Sequence, residues 1–582
     1  MSDGRQAQTP APSDLPSFTI LVDEQGIPTQ IHVASVKVSL AVNRIPSATI
    51  TVLDGSVSDA DFAVSNSETF VPGKSVTVRL GYHSTESVVF KGVIISHQLK
   101  VKTGRPSALI IECRHRVAAL AQARKSRYFE DMTDSDIMEN LFGAADLTTD
   151  IDPVTVTHSK MVQYNSTDWD FIVTRAEANG KLVLVEPDTV TVKTPDTGQS
   201  PVVQLIYGST VFAFEAVMDA RYQSSGVTCA SWQYRDQETQ QEEAAEPDLS
   251  QPGNISPSDL SSVFDDSGAA ALIHGGAIGN DELKSWADAA LIKNRLSKVL
   301  GKIVCQGVSD IKPGTLIDLQ GMGERFNGNV FVGSVTHVVT LQNWESHVQF
   351  GLSPSWFAGR ADIADLPASG LVPPVHGLQI GLVTDLEDPD GEFRVKVKMP
   401  LISTQEEGIW CRMAQIDAGD NRSLFFRPEV DDEVVLGFLN NDPRHPVILG
   451  GLHSSARPSP VEQTSENDEK GIVTRDGLKL LFKDTDKIIH IETPDGKKII
   501  LSDHDSALRL EDDHQNVLTL NSSGISIESQ GDITITANGD IKLEGTNISC
   551  RASATLSADG STGSELKSGA TTKIEGALVQ IN

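Results

Sequence analysis

The feature that most restricts the fold of this chain is a short repeat near its C-terminal end. Apolar pairs recur at Ile525/Ile527, Ile533/Ile535 and Ile541/Leu543, eight residues apart, and Gly531-Asp532 and Gly539-Asp540 precede two of them. Looser copies lie at Leu478/Leu480, Ile489/Ile491, Leu508/Leu510, Leu518/Leu520 and Ile548/Cys550. Side chains alternate along a strand, so each octad offers two apolar groups on one face and then a bend where glycine accepts φ > 0. A single-chain β-helix is the competing arrangement, but its turns need about 20 residues or more. Three chains winding about one axis, each forming one wall of a triangular prism, enclose the pairs instead. The repeat therefore predicts a homotrimer with Ile525, Ile527, Ile533, Ile535, Ile541 and Leu543 in the core of a needle. About 14 octads at ~4.8 Å per strand layer give a length of about 65 Å. With backbone groups paired and free edges only at its tip, such a needle is stiff along its axis.

The rest of the chain reads as mainly β and multidomain. At 582 residues it is too long for one core. Aromatics make up 5% and glycines number 46, which favours short strands and tight turns over helix bundles. Residues 1–17 form a flexible N-terminus with no apolar core of a signal peptide, and no run approaches a membrane span. Residues 18–116 hold six alternating segments and predict a small β-barrel. Residues 117–181 are helical: Thr133 and Asp134 cap a helix carrying Ile137, Met138 and Leu141. A second helix starts at Asn165 or Ser166, carries Trp169, Ile172, Val173 and Ala176, and stops at Gly180. Residues 182–357 predict a second barrel, with a helix over 281–300 that buries Ala289, Ile292, Leu296 and Val299 and ends at Gly301. Within this block, 236–267 carries nine acidic residues and no Lys or Arg, and reads as a flexible loop. A linker at 358–376 leads to an OB-type barrel over 377–453, and a second linker at 454–470 leads to the needle, 471–582.

Three stretches resemble one family. Met161-Val-Gln-Tyr-Asn-Ser-Thr-Asp-Trp-Asp-Phe-Ile-Val-Thr-Arg-Ala-Glu-Ala-Asn-Gly180 is similar to the hub motif in which Q-Y precedes a helix with a D-F core. Pro428-Glu-Val-Asp-Asp-Glu-Val-Val-Leu-Gly-Phe438, continued by Asn441-Asp-Pro-Arg-His-Pro-Val-Ile-Leu-Gly450, looks like the OB signature of spike proteins. The octad tail is the third. Together they resemble the VgrG-type spikes, fused hub and spike proteins of contractile injection systems. Two positions depart from the pattern: Asp431 stands where Gly is usual, and Leu401 where an aromatic often follows the Pro400 position. The resemblance implies a homotrimer seated in a baseplate below an inner tube, a PAAR-type cone on the tip, effector cargo and transient contact with a target membrane. It fits an extracellular phage-tail-like particle, assembled in the cytoplasm and then released, as well as a type VI secretion spike. The apolar end, Leu578, Val579, Ile581 and Asn582, is the expected docking platform for the cone, since open strand edges need a cover.

No catalytic constellation is legible. Gly73-Lys-Ser75 lacks the glycine of a phosphate loop five residues earlier, where Glu68 stands, and Gly321-Met-Gly323 has Phe326 in place of a third Gly. Asp442, His445 and His453 read as parts of the OB turn and exit strand. The five cysteines show no metal spacing, and His514 is the last histidine, so a metal at the tip falls to the cone. A net charge of −31 disfavours nucleic acid. The chain is expected to be no enzyme and to hold no cofactor. A carrier of cell-wall hydrolase activity needs a domain that 454–470 has no room for. A receptor-binding fibre needs exposed aromatic platforms, and Phe482 is the only aromatic after Phe438.

Overall fold

The computed structural model describes residue 10 and residues 15–145, 147–264, 268–363 and 365–581. The chain divides into two compact units, residues 1–375 with 440–442, and residues 376–439 with 443–582.

In the first unit the two strand-rich blocks share one thirteen-stranded sheet. The seam is the pairing of His32–Ala41 with Gly328–Thr340, in which Val36 faces Val339 and Val38 faces His337. One apolar cluster, including Val36, Ile50, Val78, Phe90 and Ile111, fills the first half. A second, including Leu205, Ile303, Ile317, Val335 and Phe350, fills the other. Alternation along each strand puts these residues on one face, which is why period-two segments became strands.

Helix α1 (Asp134–Gly143) starts with a capping box in which Thr133 accepts from the Asp136 N–H and Asp136 accepts from the Thr133 N–H. Helix α2 (Asp168–Ala178) starts at a Thr167 cap, later than Asn165 or Ser166. Those two residues belong to the strand Thr157–Thr167, where a register shift falls between Gln163 and Ser166. The buried stripes of α1 and α2 meet in a shared cluster of Ile137, Met138, Leu141, Trp169, Ile172 and Ala176. Gly180 ends α2 at φ 66°, with Ala289 and Ile292 too close to its backbone for easy addition of a side chain.

The acidic segment 236–267 is not a free loop where it is described. Glu238–Glu243 forms a hairpin with Val227–Gln233, and Pro257–Ser261 is a short helix, α3. Glu246 clasps buried Arg295 at 2.6 and 2.8 Å, and the Lys298 ammonium donates to the Ile255 carbonyl at 2.9 Å. Composition missed this because the cations that hold the segment come from elsewhere in the chain. Helix α4 (Asn280–Leu296) stops earlier than the expected 300. Val299 and Gly301 lie in the strand Val299–Gln306, and a side chain at Gly301 would overlap the Phe350 ring.

The second unit opens with a closed barrel of Gln379–Asp385, Val395–Lys398, Ile409–Met413, Pro446–Gly451 and Glu433–Phe438. Val383, Val395, Val397, Cys411, Val434, Leu436 and Ile448 fill it. Asp431 adopts φ 72° and donates its N–H to the Val383 carbonyl at 2.9 Å, so the turn takes the glycine conformation without glycine.

Candidate functional site

Beyond the barrel the chain forms a seven-stranded antiparallel meander over residues 469–528, with each strand paired to the next. The looser octads expected at Leu478/Leu480, Ile489/Ile491, Leu508/Leu510 and Leu518/Leu520 belong to this meander and not to a wound helix. Each five-residue strand there but the last is followed by a turn of two to five residues that reverses the chain onto its neighbour.

Three of its turns are built alike, nineteen residues apart. Side-chain oxygens of Thr474, Thr493 and Asp512 accept from the N–H groups of Leu478 (3.1 Å), Lys497 (3.3 Å) and Asn516 (2.8 Å). The residue before each of those N–H groups is left-handed: Gly477 at φ 83°, Gly496 at 88° and Gln515 at 64°.

The resulting register aligns apolar side chains in two rows on one face. One row runs Leu480, Ile491, Ile499, Leu510, Leu518, Ile527, and the other Phe482, Ile489, Leu501, Leu508, Leu520, Ile525. The opposite face carries ion pairs such as Lys479–Glu492 (3.1 Å) and Lys483–Glu469 (2.7 Å). In one chain the apolar face is uncovered: Leu510 is 36%, Ile527 61% and Ile525 71% exposed.

Residues 529–581 contain no strand, but they bend at 530–531, 538–539, 546, 553–554, 561–562, 569–570 and 577. The eight-residue rhythm thus continues past Leu543 to the end of the described chain. Ile533, Ile535, Ile541 and Leu543 are 53–71% exposed. So are Leu556, Leu566 and Ile574, at 62–78%, which the sequence reading missed. In their octads the paired position holds Ala558, Ser564 or Thr572, so a search for two apolar residues passes over them. Leu578, Val579 and Ile581 are exposed at the end, and Asn582 lies outside the described residues.

The other sequence candidates occupy turns. Gly73 (φ 98°) donates its N–H to Ile94 ahead of the strand Ser75–Tyr82. Gly321 and Gly323 (φ 78° and 79°) close the turn before Gly328–Thr340. Asp442 is buried, while His445 and His453 are exposed. Asp512, Asp513 and His514 are the one group of three potential metal ligands among the described residues. They lie in the last of the three like-built turns, where Asp512 already accepts from the N–H groups of Asn516 and His514.

The barrel has a counterpart among known protein families. Residues 379–453 match the family described as the type VI secretion system/phage-baseplate injector OB domain, and residues 12–340 match the Alg8 N-terminal domain. The type VI secretion system spike protein VgrG1a of Pseudomonas aeruginosa is 30% identical over 115 residues, 18% of this chain and 17% of that protein. VgrG3 of Vibrio cholerae is 33% identical over 99 residues, 15% of this chain and 9% of that one. The aligned stretches therefore span under a fifth of these relatives. A tail protein from Neisseria meningitidis superposes with a TM-score of 0.43 at 13% identity, over 59% of this chain and 98% of its own. The E. coli c3393 protein, a type VI secretion component, scores 0.37 at 13% identity, over 74% and 99%. Scores this low do not establish a shared whole-chain arrangement. The strand-dominated fold, the OB barrel and the stretches shared with the named relatives mark a VgrG-type spike protein. The chain belongs to the family described by the Alg8 N-terminal domain.

Proposed function

We propose that three copies of this chain form the central hub and needle of a contractile injection particle, assembled in the cytoplasm and driven through a target membrane with its effector cargo. The carrying observation is the uncovered apolar face, two rows across the meander and an octad tail behind it. Leaving such a surface in water is costly, at about 25 cal/mol per Å² of apolar area. Two further copies cover it with identical rows, and the tail gains the strand partners it lacks within one chain.

The hub supports the same stoichiometry. The strand Val211–Met218 is a sheet edge with Phe212 and Val217 more than half exposed. Beyond Ile94 the long strand Thr85–Lys100 pairs only with Ala108–Arg114, and Ile95 and Leu99 are exposed. Open edges of this length invite pairing with another copy. Two blocks per chain in three copies present six similar units to a sixfold inner tube. Val579 and Ile581 face a PAAR-type cone at the far end, and loss of the residues after Gly576 abolishes its docking.

Light scattering on the full chain tests the reading. The expected mass is three times the 62.6 kDa chain, and a monomer overturns the proposal. Native Cys550 offers a second readout. Burial pushes Cys229 up to about 11 and Cys113, Cys305 and Cys411 to about 12, which leaves them unreactive, whereas Cys550 is exposed. Mild oxidation is expected to link two copies through Cys550, and Cys550→Ser to remove the band.

A further inference from the structure

We propose that the first unit carries a binding site for a small organic carboxylate with an apolar body, in the cavity between helices α2 and α4 and the sheet seam. The cavity holds about 580 Å³, within the ~300–1,000 Å³ of small-molecule sites. Leu182, Ile292, Leu296, Leu352 and Trp356 give it apolar walls.

Its charge runs against that of the molecule. Arg44, Lys181, Lys293 and Arg360 line it, with Glu177 as the one carboxylate, in a chain of net charge −31. Glu177 is already committed: it accepts from the Lys293 ammonium at 2.5 Å and from the Phe357 N–H at 2.6 Å. Lys293 also lies over the Trp356 ring, and Arg360 is paired with Asp362 at 3.0 Å. Two cations remain. Lys181 is 7% exposed, yet its ammonium reaches Asp152 only at 3.8 Å, longer than a hydrogen bond. Burial lowers its pKa, so an arriving anion would relieve a standing cost. Arg44 is exposed at the rim and its guanidinium has no hydrogen bond among the described residues. Asn43 binds Val183 through two hydrogen bonds of 2.9 and 2.8 Å, which brings the Arg44 turn beside the strand that follows Lys181. One buried and one exposed cation lining the same cavity as these apolar residues match one carboxylate on a hydrophobic body.

The test is calorimetric titration of the full chain with 1-naphthoate, using 1-naphthalenemethanol as the neutral counterpart. Saturable naphthoate binding at one site per chain is expected, at least tenfold tighter than the alcohol. Arg44→Gln and Lys181→Met are each expected to weaken naphthoate at least tenfold and to leave the alcohol unchanged. Arg44 is exposed, so its variant keeps the test valid even if Lys181→Met folds poorly. No saturable binding, equal affinity for acid and alcohol, or naphthoate affinity unchanged in Arg44→Gln would each overturn the proposal. The mass by light scattering is read separately, so the trimer and this site stand or fall independently.

Discussion

His337 sits on the seam strand with no exposure, its Nδ1 3.0 Å from the Ser346 hydroxyl and its Nε2 unpartnered. Trp344 lies edge-on at 5.8 Å. Burial away from water pulls its pKa down to about 4. An unfolded histidine titrates near 6.5, so between about pH 6.5 and 4 the unfolded chain binds the extra proton. Its stabilising contribution is complete above about pH 6.5 and lost as the pH falls to about 4, a change of about 3 kcal/mol. Urea unfolding at pH 7.5 and 4.5 should therefore show a smaller pH effect in His337→Gln than in the natural protein. An equal effect would mean that the imidazole is solvated in the fold. Asp431 makes the opposite kind of point. It holds φ 72°, a region that costs a non-glycine residue about 1–2 kcal/mol, part of which glycine returns as chain entropy. Asp431→Gly is expected to stabilise the barrel by about 0.5 kcal/mol in thermal unfolding. A lower melting point would show that the exposed carboxylate contributes something its backbone does not reveal. The sequence marked Asp431 as a departure, but only the backbone angle shows that the glycine conformation was kept. Nothing in the sequence marked His337.

At the scale of elements, helices α1, α2 and α4 are joined by one buried ionic cluster. Arg175 donates twice to Asp134, each at 2.8 Å, and once to Glu282 at 3.0 Å, while Asn179 and His158 also approach Asp134. The cluster holds the Asp134 carboxyl well below the usual carboxylate range, despite a burial that opposes this. Breaking such a pair from one side strands a buried charge, so Arg175→Met is expected to cost about 3–5 kcal/mol in denaturant unfolding of the first unit. A loss under about 1 kcal/mol would mean that water reaches Asp134. The helices themselves were legible from their apolar spacing and caps. The cluster was not, because its members are far apart in sequence and each alone reads as surface charge. The meander shows the same division. Its apolar pairs were visible, but their uneven spacing was read as loosened octads. The turn geometry of Thr474, Thr493 and Asp512 decides that the chain reverses there.

For the whole molecule, the distribution of apolar surface matters more than its amount. Each half of the thirteen-stranded sheet encloses its own core, whereas the segment from Leu478 to Ile581 leaves apolar residues outward in a single chain. Ile533→Asp with Ile541→Asp would place charges in the enclosed centre of a trimer but in open water on a monomer. The double variant is expected to sediment mainly as smaller species, with the melting of the OB barrel unchanged. A variant that remains trimeric would assign assembly to the open hub edges instead. Three chains also bring together a large negative charge, so association is expected to strengthen with added salt.

The sequence alone determined the local periods. Alternation specified strands, helical spacing specified α1 and α2, and the octad specified that the tail has no core of its own. These are short-range properties, set by which side chains share a face. The tertiary structure decided what depends on distant residues: that the two strand-rich blocks join at one seam, that Arg295 and Lys298 hold an acidic segment in place, and that residues 469–528 turn back instead of winding. In each case the deciding hydrogen bonds and ion pairs join groups whose closeness exists only once the chain has folded.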